Sequence, residues 1–130
     1  LTAAVACFGR AQNRQVDNRH QVILQAFAFL DHYRQLCKDL NHSKSEVAFN
    51  FGRAFHRLGL YQLALPHYRE ALEMKDEKVK AKAKVTAATM MHKQSGFVAW
   101  SEAAYNLSLI YIASGNPSLA NHIVEKYLRV

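Results

Sequence analysis

The chain has 130 residues, 50% apolar and 21% charged, which excludes a disordered segment and predicts one folded, water-soluble domain. Its 17 basic and 10 acidic residues leave a charge of +7 before histidine is counted. No apolar run approaches the roughly 18 residues of a membrane span, no charged-then-apolar leader opens the chain, and the start at Leu1 rather than Met is that expected of a processed chain or a fragment.

Ala, Leu, Lys, Arg, Gln and Glu are abundant, prolines number two and glycines five, and no hairpin dipeptide such as Asn-Gly occurs. The fold expected is all-α. A first helix is predicted from Leu1 to about Asn13. Asp17 is placed to cap a second, whose apolar residues Val22, Ala26, Phe29, Leu30, Tyr33 and Cys37 recur at three- and four-residue steps. Residues 41–45 are a polar break. Ser43 with Glu46 forms a capping-box pattern for a third helix, which Gly59 ends. A fourth runs from about Tyr61 to Met74. A basic stretch follows to Gly96. Another helix runs from Trp100 to Ser114 and stops at Gly115. Asn116 then caps the last helix, with Pro117 at its first position.

An internal repeat is the most informative feature. Residues 46–72 align with 102–128 at a constant offset of 56. Glu46 meets Glu102, and Ala48 meets Ala104. Phe49, Asn50 and Phe51 meet Tyr105, Asn106 and Leu107. Phe55 meets Tyr111, Gly59 meets Gly115, Ala64 meets Ala120 and Leu72 meets Leu128. Each unit reads as helix, glycine turn, helix. Ala48, Phe51, Gly52 and Phe55 share one face of the third helix, and Ala64, Tyr68, Ala71 and Leu72 form the facing stripe of the fourth. In the second unit Ala104, Leu107, Ser108 and Tyr111 face Ala120, Val124 and Tyr127. Small residues opposite large ones interlock as a helical hairpin. Gly52 lets its partner helix come close. A lone hairpin cannot bury both its faces, so it must stack on neighbours.

These residues resemble the tetratricopeptide repeat. Gly52, Phe55, Gly59, Ala64, Tyr68 and Ala71 supply that motif in the first unit, with Asp76 where its usual proline falls. The second unit has Ser108, Tyr111, Gly115 and Ala120 and departs at Val124 and Tyr127. The resemblance implies tetratricopeptide-type hairpins stacked as an α-α superhelix, about three in number, in a single domain over 1–130. Residues 1–40 are then a degenerate hairpin, 46–74 and 98–130 repeat units, and 75–97 a basic insertion. The offset exceeds the roughly 34-residue period by about 22 residues.

A more specific resemblance covers about residues 16–130. The run Asn50-Phe51-Gly52-Arg53-Ala54-Phe55-His56-Arg57-Leu58-Gly59-Leu60 is similar to the carboxyl-terminal region of the family of tetratricopeptide subunits of transcription factor IIIC. So are Glu102-Ala103-Ala104-Tyr105-Asn106-Leu107-Ser108-Leu109-Ile110-Tyr111, Ser114-Gly115-Asn116, Gln25-Ala26-Phe27-Ala28-Phe29-Leu30 and Tyr33. This resemblance implies a nuclear scaffold for protein–protein interaction. Such a scaffold helps assemble the complex for RNA polymerase III transcription and recruit initiation factor IIIB. It also implies that Val130 lies at or near the natural carboxyl terminus, with further repeats before Leu1. The expected partners are other transcription factor IIIC subunits and components of factor IIIB. DNA contact is expected to be at most indirect or weak, with no membrane and no small-molecule substrate.

Chemistry is not expected. Cys7 and Cys37 are the only cysteines and read as reduced residues packed in helices, suited to a reducing compartment. The histidines His20, His32, His42, His56, His67, His92 and His122 show no metal-ligand spacing. No phosphate-loop, nucleophile-elbow or dinucleotide motif occurs. No catalytic residue, metal or cofactor is therefore assigned.

Two regions are candidates for binding. On the third helix Glu46, Phe49, Asn50, Arg53 and Arg57 lie opposite the hairpin stripe. Their counterparts are Glu102, Tyr105, Asn106, Leu109 and Ile112. By the resemblance this face lines the concave groove of the superhelix. Tyr105, Leu109 and Ile112 leave their helix apolar nearly all round, which predicts burial on both sides. The cover is either the first hairpin or the basic stretch, or else a partner's segment. Lys75, Lys78, Lys80, Lys82 and Lys84 form a possible basic contact for phosphate or an acidic partner, or a solvated, partly helical linker. Arg10, Arg14 and Arg19 raise the same question. Two other functions fit parts of the pattern. A chaperone-tail adaptor would use Asn50 and Asn106, but Glu46 and Glu102 put acid where a carboxylate clamp needs lysine. Direct nucleic-acid binding would use the lysines, but no aromatic interleaves them.

Overall fold

The computed structural model describes the backbone of residues 1–13, 17–39, 44–82 and 95–129, and their side chains except those of 39, 75–82 and 95–98. The described residues form six helices: α1 (Thr2–Gln12), α2 (Arg19–Asp39), α3 (Lys44–Arg57), α4 (Tyr61–Lys82), α5 (Ser95–Ala113) and α6 (Pro117–Tyr127). They pair as α1–α2, α3–α4 and α5–α6, and each hairpin stacks on the next. The all-α, three-hairpin reading therefore holds. No helix among the described residues is long and apolar enough to cross a membrane.

Helix ends follow local chemistry. Gly59 and Gly115 adopt φ of +74° and +75°, a left-handed conformation that costs glycine nothing sterically. Around each, the backbone closes in the same way. The Leu60 amide donates to the Phe55 carbonyl (2.9 Å) and the Gly59 amide to that of His56 (2.9 Å). The Asn116 amide donates to Tyr111 (2.8 Å) and that of Gly115 to Ile112 (3.0 Å). Both are Schellman closures, so the 56-residue offset repeats down to individual backbone hydrogen bonds.

Four sequence expectations change. Asn18, at φ 61°, rather than Asp17, precedes α2, and its carbonyl accepts from the Val22 amide (3.2 Å). Asn116 occupies the cap position of α6, but its side chain makes no cap hydrogen bond. Its amide nitrogen donates instead to the Ser114 carbonyl (3.3 Å). α4 runs on to Lys82 rather than stopping at Met74, and α5 starts at Ser95 rather than Trp100. Ser43 and Lys84 lie outside the described residues, as do the side chains of Lys75, Lys78, Lys80 and Lys82. Pro66 lies within α4. It cannot donate to the Gln62 carbonyl, and both residues are exposed.

Two cores hold the stack. The larger runs through α3–α6 and includes Tyr68, Ala71, Leu72, Ala103, Leu107 and Ile110. At its centre Tyr68 is fully buried, and a β-carbon at Gly52 would lie 2.7 Å from Cδ1 and Cε1 of its ring. The absent side chain is thus what admits the ring. The second unit has Ser108 and Val124 at the equivalent positions. Ser108 is buried and donates to the Tyr105 carbonyl (2.7 Å). The smaller core joins the first hairpin to α3 through Ala4, Phe8, Ala26, Leu30 and Ala54. Phe27 ties it together, with ring centroids 5.1 Å from Phe8 and 5.0 Å from Phe55. Cys7 and Cys37 are free thiols, the second buried.

Candidate partner-binding groove

α3 has three working faces, because 3.6 residues per turn spread its positions around the axis. Ala48 and Gly52 meet α4, and Ala54 meets the first hairpin. The third face carries Arg53 and His56 toward α5. There Arg53, His56, Arg57, Tyr68 and Asn106 line a cavity of about 230 Å³. The larger core holds the Tyr68 ring, which brings the hydroxyl 3.2 Å from His56 Nδ1. The Asn106 side chain lines the same cavity and favours the ionised form of that hydroxyl. Burial pushes the Tyr68 phenol up to about 12, against the opposing pull of Arg53, Asn106 and Arg57. Burial likewise holds His56 below its usual 6.5. Both groups are therefore neutral near pH 7, and the cavity's positive charge belongs to the two arginines.

The predicted groove residues do not act together. Arg53, Arg57 and Asn106 converge on the cavity. Glu102 is exposed and acts on Tyr68 through its charge. Glu46 turns toward α2, accepting from the Tyr33 hydroxyl (3.2 Å). Asn50 is buried, beside a small cavity whose lining includes Leu1, Val5 and Phe8 of the first hairpin. Phe49 is a correction. It is 5% exposed in the larger core, its ring 6.1 Å from that of Tyr68 and beneath the Arg53 guanidinium. It is a core residue because the next hairpin closes over it. Tyr105, Leu109 and Ile112 are not buried by any of the described residues. They are 56%, 40% and 59% exposed.

Sequence reasoning missed His56 and Tyr68 as groove residues. His56 follows Arg53 by three positions, a signal that was available. Tyr68 read only as packing, because its ring and its hydroxyl serve different surroundings. A second cavity of about 260 Å³ lies between α2, α3 and α4, with Cys37, Val47 and Phe51 among its lining and Arg34, Lys38 and Lys44 at its edge. No single-helix periodicity reports it, since three elements enclose it. Among the described residues no group of three potential ligands is placed to hold a metal.

Stacked hairpins with a polar, cationic cavity between successive first helices have the architecture of a helical-repeat domain. Residues 45–78 match the tetratricopeptide repeat family. The chain is similar to subunits of transcription factor IIIC. It is 39% identical over 98% of its length to the transcription factor tau subunit sfc4 of Schizosaccharomyces pombe. It is 34% identical over 93% to the transcription factor tau 131 kDa subunit of Saccharomyces cerevisiae, and 32% over 92% to the general transcription factor 3C polypeptide 3 of Homo sapiens. The chain spans 12%, 10% and 12% of these relatives respectively.

Proposed function

We propose that this chain is a non-catalytic binding scaffold, the tetratricopeptide part of a transcription factor IIIC subunit acting in the nucleus. In this reading it joins other subunits of that complex and helps recruit initiation factor IIIB for RNA polymerase III. The similarity to three transcription factor subunits supports the assignment. One structural observation supports the scaffold role. Arg53 and Arg57 converge on a cavity floored by Asn106 and the Tyr68 hydroxyl, and among the described residues neither arginine is paired with a carboxylate. Unpaired guanidinium groups beside a concavity suit a carboxylate on an incoming segment. The +7 charge speeds its arrival.

Affinity purification from cells of the longer protein that contains this chain tests the reading. Transcription factor IIIC subunits and factor IIIB components should co-purify. Arg53→Glu with Arg57→Glu should reduce their recovery, slow association in purified mixtures and weaken its salt dependence. Full recovery with the charge-reversed protein would remove the groove from the interface. Recovery of neither factor would reject the assignment.

A further inference from the structure

The internal repeat supplies its own template for what lies beyond α5. On α3, Phe49, Arg53 and His56 stand on the side against which α5 packs. Phe49 is buried there, and Ala99 and Ala103 of α5 continue the same core. Fifty-six residues on, the equivalent positions of α5 are Tyr105, Leu109 and Ile112, all exposed. The filled seat and the open seat are thus the same surface, one repeat apart. The open one carries the larger apolar load, a mark of an interaction site.

The two helices of the last hairpin differ in how they end the stack. On α4, Leu65 packs against the core and Arg69 Nε donates to the Tyr111 hydroxyl of α5 (3.1 Å). Their counterparts on α6 are Asn121 and Glu125, both exposed and polar. α6 therefore has the polar outer face of a terminal repeat, and α5 does not. The space fits one helix rather than a hairpin.

We propose that this open seat docks a single amphipathic helix of a partner protein through a stripe of small residues flanked by lysine or arginine. The inference rests on the scaffold reading above and specifies its partner. The small stripe follows from the filled seat, where α5 offers Ala99 and Ala103; large residues on a seat need small ones opposite for two helices to approach. The basic flank follows from charge. Glu125 stands where the filled seat has Arg69 and Leu109 where it has Arg53, while Glu102 repeats the acid of Glu46. Glu125 lies 3.5 Å from Arg129 in an exposed pair, which holds it weakly. The open seat thus lacks both guanidinium groups of the filled one and disfavours helices that suit it. A second copy fits less well. Pairing α5 with α5 sets Tyr105 against its own counterpart, large on large.

The test uses the purified 130-residue chain and a fluorescent synthetic helical peptide. The peptide carries alanine at the relative spacing of positions 99, 103, 106 and 110, with lysines on both sides of that stripe. Anisotropy should show saturable one-to-one binding. Ile112→Lys should weaken it at least tenfold with an unchanged thermal melt, because Ile112 is exposed. A peptide with glutamates for the lysines should bind several-fold more weakly. The inference is overturned by absence of saturable binding, by equal affinity of the two peptides, or by an Ile112→Lys chain that binds like the parent. It is also overturned if Ile112→Lys lowers the melting temperature without peptide, since the chain then covers its own seat. Self-association abolished by Ile112→Lys would put a second copy there instead. In the cell purification, loss of subunits by Arg53→Glu with Arg57→Glu but not by Ile112→Lys rejects the seat and leaves the scaffold standing. Loss by neither removes both the groove and the seat from the interface, and co-purification of no subunit with the parent rejects the scaffold reading.

Discussion

Gly52 and Tyr68 form a matched pair, and Ser108 with Val124 is the alternative match 56 residues later. Gly52→Ser alone should overpack the contact and cost about 1–3 kcal/mol. Tyr68→Val alone should leave a cavity and an unpartnered His56. The double variant reproduces the second unit's solution, so denaturant titration should find it more stable than the sum of the singles by about 1 kcal/mol or more. Strict additivity would mean that the two positions do not share a contact. Phe49 and Tyr105 hold equivalent positions but separate environments. Phe49→Ala should cost about 3–5 kcal/mol, whereas Tyr105→Ala should change stability by less than about 0.5 kcal/mol. Equal costs would show that both seats are filled. His56 adds a pH dependence. Burial holds it below its usual 6.5, so as pH falls the unfolded chain takes up this proton before the folded one. Its contribution is present above that value and lost on acidification toward the lower folded value. Between about pH 7 and about pH 5, a His56→Gln chain should lose less stability than the parent. Identical pH profiles would place the imidazole in water.

At the level of elements, the glycine turns were legible because a left-handed residue after an apolar stripe is a local requirement. Gly59→Ala and Gly115→Ala should each cost about 1–2 kcal/mol, measurable by thermal unfolding. A neutral result at either would show that its turn relaxes without penalty. What the sequence did not disclose depends on neighbours. The lysines after Met74 read as a linker, because charge spacing does not distinguish a solvated helix from a solvated loop. The outer face of α3 and that of α5 carry the same pattern, aromatic followed by residues one turn on. A helical wheel places both faces outward. It cannot say that α5 covers the first and that the second stands open, since that depends on stacking order. The convergence of Arg53, Arg57 and Asn106 was legible from register, as the two helices repeat at a fixed offset. The Tyr68 hydroxyl was not, because it reaches the groove from α4 through the core.

Across the whole molecule, stability is expected to be graded. The larger core spans α3–α6, and the smaller one holds α1 and α2 against α3. Local opening follows contact density, so amides of α1 and α2 should exchange with deuterium faster than those of α5. Equal protection throughout would indicate a single cooperative unit.

α3 has a further consequence. Among the described residues, it is the only helix outside the first hairpin that α1 and α2 touch, and it also packs on α4 and α5. Its two cores lie on opposite sides of one helix axis, in series. Any load applied across the molecule, whether a pull at one end or a partner wedged at the other, must pass through this one rod. A ligand that stiffens the groove is therefore felt by the first hairpin only to the extent that α3 moves as a rigid body. Softening α3 would loosen the coupling between the two ends.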